Sequence, residues 1–338
     1  MTSKNLIKAL PKIELHLHIL GSIRPETLLS IIETDNIESA YNNKDDIVKR
    51  FEYSDFMNFI QCYMEIVDYI IDERHFERIT YEMLENCARC NTKYVEASFS
   101  PMDHISKGLQ FNKMLNAIRR GIKNAKRDFG LEADIRIDIV RTSTIEEAMS
   151  ILDYIAEDPN NIVSIDLGGN EKMYPPKRFA DVYRRAAKMG LHRVAHAGEA
   201  AGPESIWEAI QYLNVERIGH GVSAQQDPNL IEYLKQKRIG IEMCPVSNLR
   251  TGAVHSIKEH PIRDFFDKGL LVSVNSDDPS LFHTDMNYEF IQLHQELGFS
   301  VDELFKISLD SIQSSFLDPK IKDQLRRSFT REYTSLVE

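Results

Sequence analysis

Four short stretches of this 338-residue sequence bring together groups with the lone pairs and protons that a single reaction centre could use. The first is His16-Leu17-His18, two imidazoles separated by one apolar residue. In an extended strand, side chains two apart point the same way, so both rings can offer a nitrogen to one cation. Alone, the pair reads more readily as two histidines satisfied by ordinary hydrogen bonds. The second stretch is His196-Ala197-Gly198-Glu199, a third imidazole followed by a carboxyl able to give or take a proton without touching a metal. The third is His220 between Gly219 and Gly221, a poor packing choice that points to chemistry. The fourth is Ser276-Asp277-Asp278-Pro279, whose adjacent carboxyls repel unless a cation or a proton lies between them. Three neutral imidazoles with one carboxylate suit zinc and leave a place for water, whose pKa such an ion lowers towards neutrality. These residue types spell out metal-assisted hydrolysis.

The elements that must position these groups follow from hydrophobic patterning. Each of the four stretches ends one of eight short β-branched runs: Ile13–His18, Tyr94–Ser100, Ile135–Arg141, Ile162–Gly168, His192–Glu199, Arg217–Val222, Ile239–Cys244 and Leu270–Ser276. Between several of them lie helix-forming segments: Thr144–Glu157, Pro176–Met189, Glu204–Leu213, Pro228–Lys237 and Pro261–Lys268. Strands alternating with helices predict a parallel sheet, and eight such units predict an α/β fold of the (β/α)8 TIM-barrel type. An open doubly wound sheet is the alternative, but no G-x-G-x-x-G turn follows the first strand. Strands one, five, six and eight then carry the reactive groups at their C-terminal ends, the face where barrels build their sites. The chain is expected to form one domain over residues 1–338. Its surplus length falls in a helical insertion over the barrel mouth (about 21–93) and in C-terminal helices (about 285–338), including Val301–Phe316 and Pro319–Phe329. Phe56, Phe59, Tyr63 and Met64 are apolar candidates within the insertion.

Composition narrows the partners. Against 41 Lys+Arg stand 52 Asp+Glu, a net charge of −11, which argues against nucleic acid or an anionic membrane as the main ligand. With 42% hydrophobic residues the chain is neither collagen-like nor disordered, and no apolar run approaches the roughly 18 residues of a membrane span. The first residues show no signal-peptide core, and four cysteines are too few for a disulfide framework, so a cytoplasmic location is expected. Nothing in the sequence fixes whether the chain forms a homo-oligomer. The one CxxC, Cys87-Ala-Arg-Cys90, lacks the proline of cytidine-type zinc deaminases and reads as structural. His75, His104, His192, His255, His260, His283 and His294 belong to no motif and read the same way.

The phrases PKIELHLH, HAGE, RIGHG and VNSDDP, in this order and spacing, resemble the adenosine deaminase family of the amidohydrolase superfamily. The likeness runs from about Leu10 to Phe316 and takes in Tyr94–Pro101 and Asp166–Glu171. It implies one Zn2+ held by His16, His18, His196 and Asp277, and hydrolytic deamination of a small 6-aminopurine nucleoside to the 6-oxo purine and ammonia. By the same resemblance Glu199 would protonate purine N1 and His220 would orient the attacking hydroxide. Asp278 would bond N7 and the Gly169 N–H would reach N3, with His18 and Leu20 also against the substrate.

Two departures bear on the substrate. Leu20 stands where many relatives carry an acidic residue that meets the ribose 5′-hydroxyl, and Ser98 stands where many have Arg. A 5′ end without its polar partner is expected to accept apolar substituents, as in 5′-methylthioadenosine or 5′-deoxyadenosine. Aminodeoxyfutalosine and free adenine are the other family substrates to weigh. Outside the family, a different mononuclear metal hydrolase and a catalytically silent binding protein are the alternatives. Strand four ends in Gly168-Gly169 without the lysine of two-metal sites, which weighs against a binuclear centre, and Glu199 and the ligand residues are all present, which disfavours a silent protein.

Overall fold

The computed structural model describes residues 2–53 and 56–338, with the side chain of Phe56 outside that description. Eight parallel strands follow one another round a barrel in chain order: β1 Lys12–His18, β2 Thr92–Phe99, β3 Glu132–Val140, β4 Ile162–Gly168, β5 His192–Ala197, β6 Arg217–His220, β7 Gly240–Met243 and β8 Val272–Val274. This is the expected (β/α)8 architecture, with strand ends within a few residues of the patterning. The seam between β8 and β1 is a single bridge, Leu17 to Asp277. There Asp277 N–H donates to the His16 carbonyl (3.1 Å) and His18 N–H to the Asp277 carbonyl (2.8 Å). The barrel is therefore closed by the backbone of residues singled out for their chemistry.

Register aligns the reactive ends. Asp138 pairs with Asp166 across β3 and β4, and His196 with Gly219 across β5 and β6. A Cβ at Gly219 would lie 3.1 Å from His16 Cε1 and 3.2 Å from His196 Cα, so glycine leaves room for the His16 ring against the β5 backbone. The outer helices start where side chains can take up free N–H groups. Thr144 with Glu147 and Ser300 with Glu303 form capping boxes, and Asp227 caps the Pro228–Lys237 helix.

The long connection after β1 divides into two parts. A one-turn helix (Leu20–Ser22) is followed by helices Pro25–Thr34, Lys44–Arg50 and Phe56–Tyr69, the last of which reaches the cavity at the barrel mouth. The next, His75–Arg89, instead packs beside β2 and the Phe111–Phe129 helix in the outer ring, so the expected insertion does not lie wholly over the mouth. Its Cys87 and Cys90 are buried and free, as are Cys62 and Cys244. After β8 come three longer helices, Met286–Leu297, Val301–Ser314 and Pro319–Val337; the second packs on β8 and β1. Among the described residues no helix is long and apolar enough to cross a membrane.

His104 shows what burial does to a histidine with no motif. It is fully buried, edge-on to the Phe76 ring at 5.0 Å, and burial pushes its pKa down to about 4. A folded-state pKa below the unfolded value of 6.5 stabilises the fold above pH 6.5, and that contribution is lost as pH falls through about 4. At about 1.4 kcal/mol per tenfold it is on the order of 3 kcal/mol. His104→Leu is therefore expected to narrow the gap in Tm between pH 7 and pH 4.5; an unchanged gap in thermal melts would refute this.

Candidate active site

β1 brings His16 and His18 to one face at the C-terminal end of the barrel. His16 Nε2 lies 3.2 Å and His18 Nε2 3.3 Å from the same oxygen, Asp277 Oδ1, and the two nitrogens are 3.3 Å apart. His196, from the end of β5, places its ring centroid 4.5 Å from that of His16. One ligand atom from each of His16, His18, His196 and Asp277 falls within 4.8 Å of the others. His220, Cys244 and Asp277 converge as closely, but burial pushes the Cys244 thiol up and keeps its proton on.

Each histidine of the first set is held from behind by a carboxylate. His16 Nδ1 meets Glu242 Oε2 at 2.9 Å, His18 Nδ1 meets Asp138 Oδ2 at 3.2 Å, and His196 Nδ1 meets Asp166 Oδ2 at 2.8 Å. A carboxylate on one ring nitrogen fixes the tautomer, so the other nitrogen offers its lone pair to the centre. Buried Arg136 ties these partners together: it pairs with Asp166, meets Glu242 at 2.7 Å and donates to the Leu15 carbonyl at 2.9 Å. Arg217 reaches Glu242 at 2.7 Å from the other side and pairs with Glu96. Burial opposes charge on His16, yet Asp277 and Glu242 beside it raise its pKa to about 9. The centre thus favours positive charge, and three imidazoles, one carboxylate and three backing carboxylates fit a divalent ion of the zinc kind.

Groups suited to moving protons surround this cluster. Burial, reinforced by the charge of Asp277, raises Glu199 to about 7. Thr251 donates to Glu199 Oε1 at 3.1 Å, and His220 Nε2 lies 3.7 Å from Glu199 Oε2. The loop carrying Glu199 is clamped by Glu171, which accepts from the N–H groups of Gly198 (2.5 Å), Glu199 (3.2 Å), Ala200 (2.8 Å) and Ala201 (3.0 Å). Asp278 is driven well above the usual carboxylate range by burial and by neighbouring Asp277. Gly21 leaves it space, since a Cβ there would collide with the Asp278 carboxyl. His220 and Asp277 adopt φ of 61° and 65°, a conformation costly for non-glycine residues and concentrated at functional sites.

A cavity of about 410 Å³ opens onto these groups, lined by His18, Gly169, His196, Glu199, His220, Asp277 and Asp278. Met57, Phe59, Ile60, Tyr63, Met64 and Phe282 add apolar surface to the same lining. Of the residues singled out in the sequence, His16 lies behind that lining and Leu20 lies apart from it. Leu20 is only 3% exposed and belongs to the apolar core, because the chain curls into a one-turn helix directly after His18. Ser98 is buried in β2, also away from the lining. The apolar character assigned to Leu20 is supplied instead by the Phe56–Tyr69 helix and by Phe282, whose ring stacks on Phe59 at 4.9 Å. Sequence reading also missed Asp138, Asp166, Glu242 and Arg136. Their signal was present, since charged residues inside buried parallel strands are anomalous.

A protein-family model described as adenosine deaminase matches residues 11–331. A relative from Acinetobacter baylyi named adenine deaminase is 34% identical over 95% of this chain and 97% of its own length. Another, from Streptomyces avermitilis and named aminodeoxyfutalosine deaminase, is 35% identical over 93% of this chain and 88% of its own. The crystal structure of an amidohydrolase from Burkholderia ambifaria with bound Zn superposes with a TM-score of 0.92 at 25% identity, covering 100% of this chain and 94% of that one.

The backing carboxylates make the metal cluster testable apart from turnover. Asp166→Asn removes the charge that orients His196, and retention of a divalent metal against a chelator should fall by about 10- to 100-fold. Retention equal to that of the unsubstituted protein would detach Asp166 from the cluster.

Proposed function

The chain belongs to the adenosine deaminase family, and on that premise we propose that it deaminates an uncharged adenosine bearing an apolar 5′ substituent, of the 5′-deoxy or 5′-methylthio type. It is a hydrolytic deaminase acting on adenine-type substrates, releasing ammonia and leaving a 6-oxo purine. The observation that carries the finer reading is the mixed lining of the cavity. Proton-handling groups share it with apolar side chains from the Phe56–Tyr69 helix and with Phe282.

His16, His18, His196 and Asp277 would hold one zinc ion, which when bound would lower the pKa of a water towards neutrality and so make hydroxide available at neutral pH. Glu199, poised near neutrality, gives its proton to purine N1 as C6 is attacked, so that the ring nitrogen need not carry negative charge. His220 lies across from Glu199, orients the attacking oxygen and stabilises charge that develops there. Asp278 keeps its proton and donates to N7, which can only accept. The Gly169 N–H reaches N3, and His18 borders the sugar.

Among the described residues that line the cavity there is no Lys or Arg, and Asp103 lies on its wall. A phosphate, or the carboxylate of aminodeoxyfutalosine, would be desolvated there without a counter-charge. Free adenine, the base named in the Acinetobacter relative, is the second reading. A ten-atom base leaves much of a cavity of about 410 Å³ unfilled.

Two measurements test the proposal. The kcat/KM for 5′-methylthioadenosine should equal or exceed that for adenosine and for adenine; a tenfold preference for either of the latter overturns the 5′ assignment. Glu199→Gln should retain its metal while kcat falls by about two or more orders of magnitude. Near-normal turnover would remove Glu199 from the role of acid.

A further inference from the structure

His220, Asn248 and His260 form a buried chain of polar side chains behind the cavity. Asn248 Nδ2 is 3.0 Å from His220 Nδ1, and Asn248 Oδ1 is 3.1 Å from His260 Nε2. The chain ends on the backbone, where Ile262 N–H lies 3.3 Å from His260 Nδ1.

That last bond has one possible direction, because an amide N–H can only donate. His260 Nδ1 is therefore the lone-pair nitrogen, and the ring, held neutral by burial with its pKa pushed down to about 3, carries its proton on Nε2. This Nε2–H needs an acceptor, which fixes Asn248 with its carbonyl oxygen towards His260 and its amino group towards His220. The amino group donates, so His220 Nδ1 accepts and the His220 proton is left on Nε2. His220 Nε2 faces the reaction centre, 3.7 Å from Glu199 Oε2 and 3.9 Å from Asp277 Oδ2. Turning the Asn248 amide over would set two donors against each other at His260.

We infer that His260 is a positioning residue for the deamination: through Asn248 it holds His220 in the Nε2–H tautomer, so that His220 meets the reacting oxygen as a hydrogen-bond donor and not as a base. The inference rests on the reading that His220 faces the reacting atoms. Proton transfer at the centre is thereby left to Glu199. His220 has no free lone pair, since one nitrogen bears a proton and the other accepts from Asn248.

The test reads the tautomer directly, by NMR of the zinc-loaded protein labelled with 15N-histidine. His220 should show a protonated Nε2 and a lone-pair Nδ1, its signals identified by their loss in His220→Asn. Asn248→Asp keeps the shape but can only accept, and should move the His220 proton to Nδ1. His260→Leu removes the anchor; with adenosine as substrate, kcat should fall about 10- to 100-fold while KM changes less than about threefold. His260→Gln offers both a donor and an acceptor, and should recover kcat to within about threefold of normal. A His220 proton on Nδ1 in the unsubstituted protein overturns the inference. So does a His260→Leu variant with unchanged tautomer and kcat, or an Asn248→Asp spectrum like the original. Should His260→Leu fail to fold, the unsubstituted and Asn248→Asp spectra decide the matter. The spectra need no substrate, so failure of the nucleoside assignment and failure of this inference are read separately.

Discussion

Everything at the mouth of this barrel depends on the pairing of ring Nδ1 atoms with buried carboxylates: His16 with Glu242, His18 with Asp138 and His196 with Asp166. Three carboxylates in a dry interior would repel one another and lose their hydration, a cost only opposite charge or hydrogen bonds can offset. Arg136 supplies part of that charge to Glu242 and Asp166 at once, and Arg217 supports Glu242 from below. Positive charge is still short beside Asp277, which a divalent ion among the three imidazoles would supply. The arginines therefore help to determine the electrostatics of the histidine cluster from behind, with Arg136 3.4 Å from His16 Nδ1.

The same constraint explains where the backbone departs from its comfortable conformations. Asp277 closes the barrel through its backbone and offers its carboxylate to His16 and His18, and it does both at a positive φ. His220 adopts a similar conformation and aims one nitrogen inward while Asn248 secures the other. Strain at these positions is held in place by the surrounding hydrogen bonds, including Ser247 to Asp277 Oδ2 at 2.7 Å. Rigidity of this kind suits a centre whose groups must already face the charge that develops in the transition state.

Acidity at the site is sorted by environment. Asp277 is held well below the usual carboxylate range, where burial is outweighed by the histidines beside it, whereas Asp278 and Glu199 are driven upward by burial and by Asp277 itself. Three carboxyls within one pocket thereby divide into one that stays ionised and two that can carry protons. The Phe56–Tyr69 helix adds apolar side chains to the same cavity, and among the described residues that line it none is Lys or Arg.

By itself the sequence determined the barrel, because period-two and helical patterning alternate regularly. It also determined the reactive strand ends, because H-x-H, HAGE, GHG and SDDP are local in the chain and unusual where they fall. Leu20 marks the limit of that local reading: whether its side chain faces the cavity depends on a one-turn helix that no neighbouring residue announces. The carboxylates behind the histidines lie 30 to 226 residues from their partners in the chain, as Asp166 does from His196 and Glu242 from His16. His260 shows no motif at all, and its meaning arises from one backbone N–H and one amide that fix the direction of every hydrogen bond up to His220. Local pattern names the groups that can react. Only the folded barrel decides which atoms of those groups carry protons, because tautomer and charge are set by neighbours that the chain brings together from far apart.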